Sequence, residues 1–411
     1  MQMLRRSISS RSRRSTEPGT ALSAVETRST APTEFLPQAL PYDVLRHIFS
    51  LAVLSTSEPK ERQHLCLTIA ALSSDWTEVG LRFLYASRLT FKSKRFRPSS
   101  RTKKKQFACF YSAVLGAERL ASAVTWLKVD VGLVKGRLTE LLTACKAIKV
   151  LGLKGGELPI CHLHAATTVT CLSLEVVTLV AEPPVFQSSL TFPYTLNKYP
   201  LYLPDLTSLT LSNVWFNSAV VGKVLSPLSL PSLTHLTTDQ VFAWNEVTLR
   251  DAFFSLCPKL THLTSLDPLR WTRHALLRCG ETLTHLRIAE TPKNATSLRH
   301  ILPFLNASPH PLKTLHIYAG RISQRSSQLD AAAVLARGLI LAVCERRTSV
   351  IELGTLTLAG PGWVVSEMIE TLGLLGSVCA LKSVEFKVKL EQQDLRAEWL
   401  DKALEVGGEW E

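Results

Sequence analysis

"LTHLTT" (233–238), "LTHLTS" (260–265) and "LTHLRI" (283–288) repeat Leu-Thr-His-Leu at intervals of 27 and 23 residues. Alternation of the form L-x-L describes a strand with one buried face, because successive side chains leave a pleated backbone on opposite sides. The wider pattern L-x-x-L-x-L, with aliphatic substitutes, also occurs as "VTWLKV" (124–129), "IKVLGL" (148–153), "VTCLSL" (169–174) and "LTSLTL" (206–211). It continues as "LKTLHI" (312–317), "LGTLTL" (353–358) and "LKSVEF" (381–386). From Leu127 to Val384, the fourth residues of the first and last copies, the spacing averages about 29 residues. Some twenty residues between strands allow a return segment with a short helix, such as "GRLTELLTACKAI" (136–148) or "LRDAFFSLCPKL" (249–260). One such unit cannot bury its apolar side alone, so a core forms only by stacking.

In period and pattern this region resembles the leucine-rich repeats. The resemblance implies an α/β fold: a solenoid with a curved parallel sheet and helices on the convex side, here over 107–390. The asparagine that many such repeats place three residues after the last leucine is absent. Gly156, Val177, Val214 and Val241 stand there in four copies, which marks the array as irregular. Cys145 and Cys257 stand three residues before the first aliphatic of their copies and Cys279 four before. This looks like the cysteine-containing repeats common in F-box proteins, with the thiol as a small buried apolar group at a helix end.

The same frame assigns the histidines. With Leu233 and Leu236 facing the core, His235 is expected on the opposite, exposed, concave face, with His262 and His285 beside it in a column about 4.8 Å apart per step. Thr237, Thr264 and Arg287 form the next column, which His316 joins one repeat later. Ordinary strand residues or a protein-binding surface account for these positions. Parallel imidazoles do not converge on one ion, so no metal is expected. Trp244 and Trp271 each lie eight residues beyond the fourth position of their repeats, Leu236 and Leu263, which is expected to stack them at one rim as packing groups or binding anchors. The Pro- and aromatic-rich stretch 182–200 is expected to form a protruding loop.

Outside the repeats, charge is unevenly placed. The chain has 411 residues and a net charge of +13, and nine Lys or Arg with no acid lie in "RLTFKSKRFRPSSRTKKK" (88–105). This stretch is expected to contribute a basic linker, residues 92–106; a nuclear-import signal is the alternative. Specific nucleic-acid recognition lacks a supporting motif. Residues 1–34 are expected to be a disordered basic tail, and 391–411 a C-terminal helical cap. The most apolar window, "AAAVLARGLILAV" (331–343), is too short to span a bilayer and contains Arg337. Nine scattered cysteines without a C-x-x-C pair point to a reducing compartment, cytoplasm or nucleus.

Ahead of the repeats stands "LPQALPYDVLRHIFSLAV" (36–53). Pro41 suits a first helical turn, Asp43 favours the positive end of the helix, and Val44, Leu45, Ile48, Phe49 and Ala52 form an apolar stripe. A second apolar stretch, 62–91, reads as helices broken near Ser73 and Ser74. Together, residues 35–91 resemble the F-box: Leu40-Pro41, Leu45, Ile48-Phe49, Ser73 with Trp76, and the closing "LRFLYASRLTF" (81–91) fall in its order and spacing. The polar loop near 54–63 is slightly longer than the usual pattern.

That resemblance implies a non-catalytic subunit of a Skp-cullin-F-box ubiquitin ligase. Leu40, Pro41, Leu45, Ile48, Phe49 and Trp76 would form or support the interface with a Skp-family adaptor, and the repeats would hold a protein substrate. A ligase-independent repeat scaffold is the alternative, and a GTPase-activating repeat protein a distant third. Of enzyme signatures there is no G-x-x-x-x-G-K-[ST], G-x-S-x-G or H-E-x-x-H, and "CHLH" (161–164) with Cys171 matches no familiar zinc spacing. No cofactor is expected.

Overall fold

A computed structural model of the chain describes residues 41–86, 88–91, 100–134, 136–180, 201–216, 230–243, 257–266, 278–279, 281–290, 312–319, 336–337, 339–340, 353–359 and 369–389. Two units are present, Met1–Leu51 and Ala52–Glu411. Helix α1 (Tyr42–Ser55), of which residues 42–51 belong to the first, begins where the Pro41 carbonyl accepts the Val44 and Leu45 N–H groups at 3.0 and 3.1 Å. Asp43 lies in its first turn, as the helix dipole favours.

Among the described residues, the second unit contains a parallel sheet of eleven strands, each paired with its neighbours in sequence. They are β1 (Leu89–Phe91), β2 (Trp126–Asp130), β3 (Val150–Pro159), β4 (Cys171–Val180), β5 (Ser208–Phe216) and β6 (His235–Ala243). Then come β7 (His262–Ser265), β8 (His285–Glu290), β9 (Thr314–Ala319), β10 (Thr355–Ala359) and β11 (Glu385–Lys389). The expected α/β class and stacked parallel strands are therefore present. One register row carries Leu127, Leu151, Leu172, Leu209, Leu236, Leu263, Leu286, Leu315 and Leu356 side by side. All are buried in one continuous core, each contributing about 1.5–3 kcal/mol.

Return segments close the leucine face. Helix α5 (Leu138–Ala144) buries Leu138, Leu141 and Leu142 against it. A recurrent tight turn precedes the strands: the N–H groups of Ile148, Leu260 and Leu283 donate to the carbonyls of Cys145, Cys257 and Cys279 at 3.1, 3.1 and 2.9 Å. Ala121 and Ala166 occupy the same turn position before Val124 and Val169. Leu203 and Leu230 hold the same position before Leu206 and Leu233, so the site takes a buried apolar group of varying size, and the eight cysteines among the described residues are unbridged.

Three sequence expectations need adjustment. The last copy is out of phase: Phe386, not Val384, pairs with Leu356, and Leu381 is 84% exposed at the end of its helix. Ser383, in a left-handed backbone conformation (φ 57°), shifts the chain by two residues before β11. The sheet also starts earlier than the repeat pattern shows, since Leu89–Phe91 pairs with β2 inside the segment read as the close of the helical motif. Thirdly, part of the basic stretch is helical. Helix α4 (Ser100–Gly116) turns Phe107, Phe110, Tyr111 and Val114 inward at helical spacing while Lys104 and Lys105 face solvent. Residues 92–99 of the expected linker lie outside the described residues.

These changes join the helices after residue 58 to the repeats. Helices α2 (Pro59–Leu72) and α3 (Ser74–Ala86) pack together, and Tyr85 at the end of α3 meets Phe110 of α4 with ring centroids 5.7 Å apart. Phe91 of β1 lies 4.9 Å from Phe110 and 5.5 Å from Phe107. This aromatic cluster caps the first strand of the sheet and ties α3 to it.

Candidate functional site

The face of the sheet opposite the leucines carries the polar side chains. His235, His262 and His285 occupy one register row, as the spacing of the LTHL copies predicts. Their rings stack, with centroids 4.1 Å apart and planes 15° from parallel for the first pair, and 4.0 Å and 8° for the second. All three are half-buried rather than fully exposed.

The preceding threonine explains the motif. Thr234 Oγ1 donates to the Thr207 carbonyl (3.1 Å), Thr261 Oγ1 to the Thr234 carbonyl (3.2 Å) and Thr284 Oγ1 to the Thr261 carbonyl (3.1 Å). The same hydroxyls lie 2.8, 2.8 and 2.7 Å from Nδ1 of His235, His262 and His285. A hydroxyl has one proton to donate, so each threonine accepts from its histidine. Nδ1 therefore carries hydrogen in all three rings and, in the neutral ring, Nε2 is the acceptor nitrogen. Thr170 and Thr207 extend the ladder by donating to the carbonyls of Lys149 and Thr170, both at 3.1 Å. Leucine supplies core, threonine ties each repeat to the one before, and histidine stacks. The role of Thr234, Thr261 and Thr284 is not evident from leucine periodicity; their recurrence beside histidine was the available signal.

Burial lowers the affinity of these rings for protons. His262 is pushed down to about 3 by burial and by the neighbouring His235, His285 and Arg287. His235 is lowered by burial and by His285, and His285 by burial, Lys313 and Arg287. His316, in the adjacent row, is pushed down to about 3 by burial, Arg287 and Lys389. The stack is accordingly neutral near pH 7.

The next row was expected to be an exposed column. Instead Thr237 and Thr264 are only 3% and 1% exposed, and Ser173 and Thr210 are buried in the same row. Small hydroxyl residues flanked by larger ones on both sides offer little area to a partner. Arg287 and His316 continue the row and are half-exposed. Trp244, Trp271 and the stretch 182–200 lie outside the described residues.

Toward the first strands, Glu175 bridges Lys128 and Lys154, the latter at 2.8 Å. Lys128 crosses β3 to reach it, its stem lying over Gly152, where a Cβ would come within 2.9 Å of Lys128 Cγ. Burial alone would raise the Glu175 carboxyl, but the hydrogen bonds and charges of Lys128 and Lys154 hold it below the usual carboxylate range.

Beyond this cluster, Gly155, Val176, Asn213 and Gln240 occupy equivalent places in β3 to β6, all with positive φ (70°, 54°, 51° and 51°). The kink turns the following Val177, Val214 and Val241 into the core, which is why valine replaces asparagine there. It also leaves Trp215 half-exposed on the polar side.

On α1, Val44, Ile48 and Leu51 form an exposed stripe (44, 46 and 54%), with Leu45 and Phe49 less exposed and Pro41 exposed. Trp76, in the first turn of α3, is half-buried; Leu40 lies outside the described residues. The "CHLH" segment is a 3-10 turn (Ile160–Ala165) in which His162 is buried with Nδ1 2.7 Å from Thr139 Oγ1. Among the described residues no group of three or more His, Cys, Asp or Glu is arranged to hold a metal, and no helix is long and apolar enough to cross a membrane. The chain matches no protein-family model and none of the curated proteins compared with it.

Proposed function

We propose that this chain is an F-box protein with leucine-rich repeats: the substrate-recognition subunit of a Skp-cullin-F-box ubiquitin ligase, without catalysis of its own. The observation that carries the proposal is the exposed Val44-Ile48-Leu51 stripe on α1. Contiguous apolar surface on a helix is costly to leave in water, and a groove on a partner covers such a helix well. Leu40, Pro41, Leu45, Phe49 and Trp76 would complete or support that adaptor interface. The repeats would receive the substrate on the polar face, where His235, His262, His285, Arg287 and His316 are the accessible groups, with Thr237 and Thr264 as buried flooring.

In such a complex the chain supplies proximity, holding a protein near a ubiquitin-charged enzyme carried by other subunits. Within the second unit, α3 packs directly on the repeat body through Tyr85 and Phe110. Titration of the purified chain with a purified Skp-family adaptor tests the proposal. Saturable binding is expected, weakened at least about tenfold in Ile48→Asp, because a charge would be buried in an apolar contact. Absence of binding by the wild-type chain would overturn it.

A further inference from the structure

On the reading that the polar face receives the substrate, we infer that Lys128, Lys154 and Ser173 form a docking point there for one anionic side chain of that substrate. The group it takes is an oxyanion, a carboxylate or a phosphate monoester, bound beside the resident carboxylate of Glu175. Hydrogen-bond donors accumulate at this place. The Lys128 stem crosses β3 over Gly152, which brings its ammonium to Glu175 on β4, and Lys154 reaches the other oxygen of the same carboxylate at 2.8 Å. An ammonium has three N–H donors, and Glu175 takes one from each lysine. The Lys128 side chain is only 9% exposed, so its remaining donors sit where bulk water barely reaches.

Ser173 adds a further donor. It stands in the register row of Lys128 and Gly152, two residues before Glu175 on the same face of β4. It is 1% exposed, and its hydroxyl has no hydrogen-bond partner among the described residues. Buried donors are normally satisfied, and an oxyanion, which only accepts, satisfies several at once. Lys154, with 45% of its side chain exposed, opens the cluster to solvent. Two ammonium groups beside one carboxylate attract a second anion. Of the other carboxylates on β2 and β3, Asp130 accepts the Gly132 N–H at 2.9 Å and Glu157 lies beyond the Gly155 kink. A substrate carboxylate or phosphate bridges the two lysines from the solvent side and accepts the Ser173 hydroxyl, contacts that a neutral side chain does not match.

Titration of the full chain, isotopically labelled at lysine for NMR, with inorganic phosphate and separately with acetate at constant ionic strength and neutral pH, tests this. Phosphate stands in for a phosphate monoester and acetate for a carboxylate, and the tighter of the two names the group. At least one should shift the Lys128 and Lys154 side-chain signals saturably, with half-saturation below about 20 mM. In Lys154→Gln the half-saturation concentration should rise at least about fivefold, and in Ser173→Ala, which separates a built site from diffuse attraction to lysines, at least about twofold. No adaptor takes part, so failure here is distinct from failure of adaptor binding. Absence of a saturable shift with both ions, or unchanged half-saturation in a folded variant, would overturn the inference; the wild-type titration decides if neither variant folds.

Discussion

Gly80 of α3 lies directly against the backbone of Ala70 in α2: a Cβ at position 80 would be 2.5 Å from the Ala70 nitrogen and 2.7 Å from its Cβ. Close crossing of these helices requires a glycine here. Alanine would gain about 1 kcal/mol of helix propensity but must force the helices apart, which costs more. Gly80→Ala should therefore lose about 1–2 kcal/mol in urea unfolding, and Gly80→Val more. Unchanged midpoints would show that the helices separate freely.

Thr238 occupies the leucine side of β6 and is buried, with its hydroxyl lacking a partner among the described residues. Valine has nearly the same shape and no polar atom to desolvate. Thr238→Val should raise stability by about 1 kcal/mol, read as a higher urea midpoint at unchanged slope.

Val176 holds φ at 54°, a conformation unfavourable for a β-branched residue, and its side chain is largely exposed. Glycine stands at the matching place in β3, where Gly155 has φ 70°. Val176→Gly should be neutral to stabilising by about 1 kcal/mol, relief of backbone strain offsetting the greater freedom of the unfolded chain. A loss above about 1 kcal/mol would mean that the valine side chain supplies packing that its exposure does not reveal.

His316 predicts a pH profile. Its native value, about 3, lies below the ordinary histidine value near 6.5, so the unfolded chain binds the proton more readily. The contribution is complete above about pH 6.5 and is lost as pH falls toward the native value. Urea midpoints should fall from pH 7.5 to 5 in the wild type, and fall less in His316→Gln. Equal pH slopes would contradict the assignment.

The stacking of strands was legible because leucine at a fixed phase leaves a strong period, and the histidine row followed from it. Less was visible where local backbone geometry overrides that period. Ser383 shifts the last strand so that Phe386 replaces Val384 in the ladder, and the three-residue β1 was too short to show a pattern. Alternation correctly placed Thr237 and Thr264 opposite the leucines but not their burial, which depends on neighbouring rows. Helix α1 presents the reverse case: its apolar stripe is plain in the sequence, while the exposure of Val44, Ile48 and Leu51 depends on which neighbours pack against the helix.

The most direct measurement is affinity capture of the full chain from cell extract beside a Leu45→Asp, Ile48→Asp double variant of matched thermal stability, with adaptor and cullin quantified in each. The proposed function predicts that both come down with the wild type and are lost from the variant, while proteins bound through the repeats stay. Absence of adaptor and cullin from the wild-type capture, or equal recovery with the variant, would contradict it.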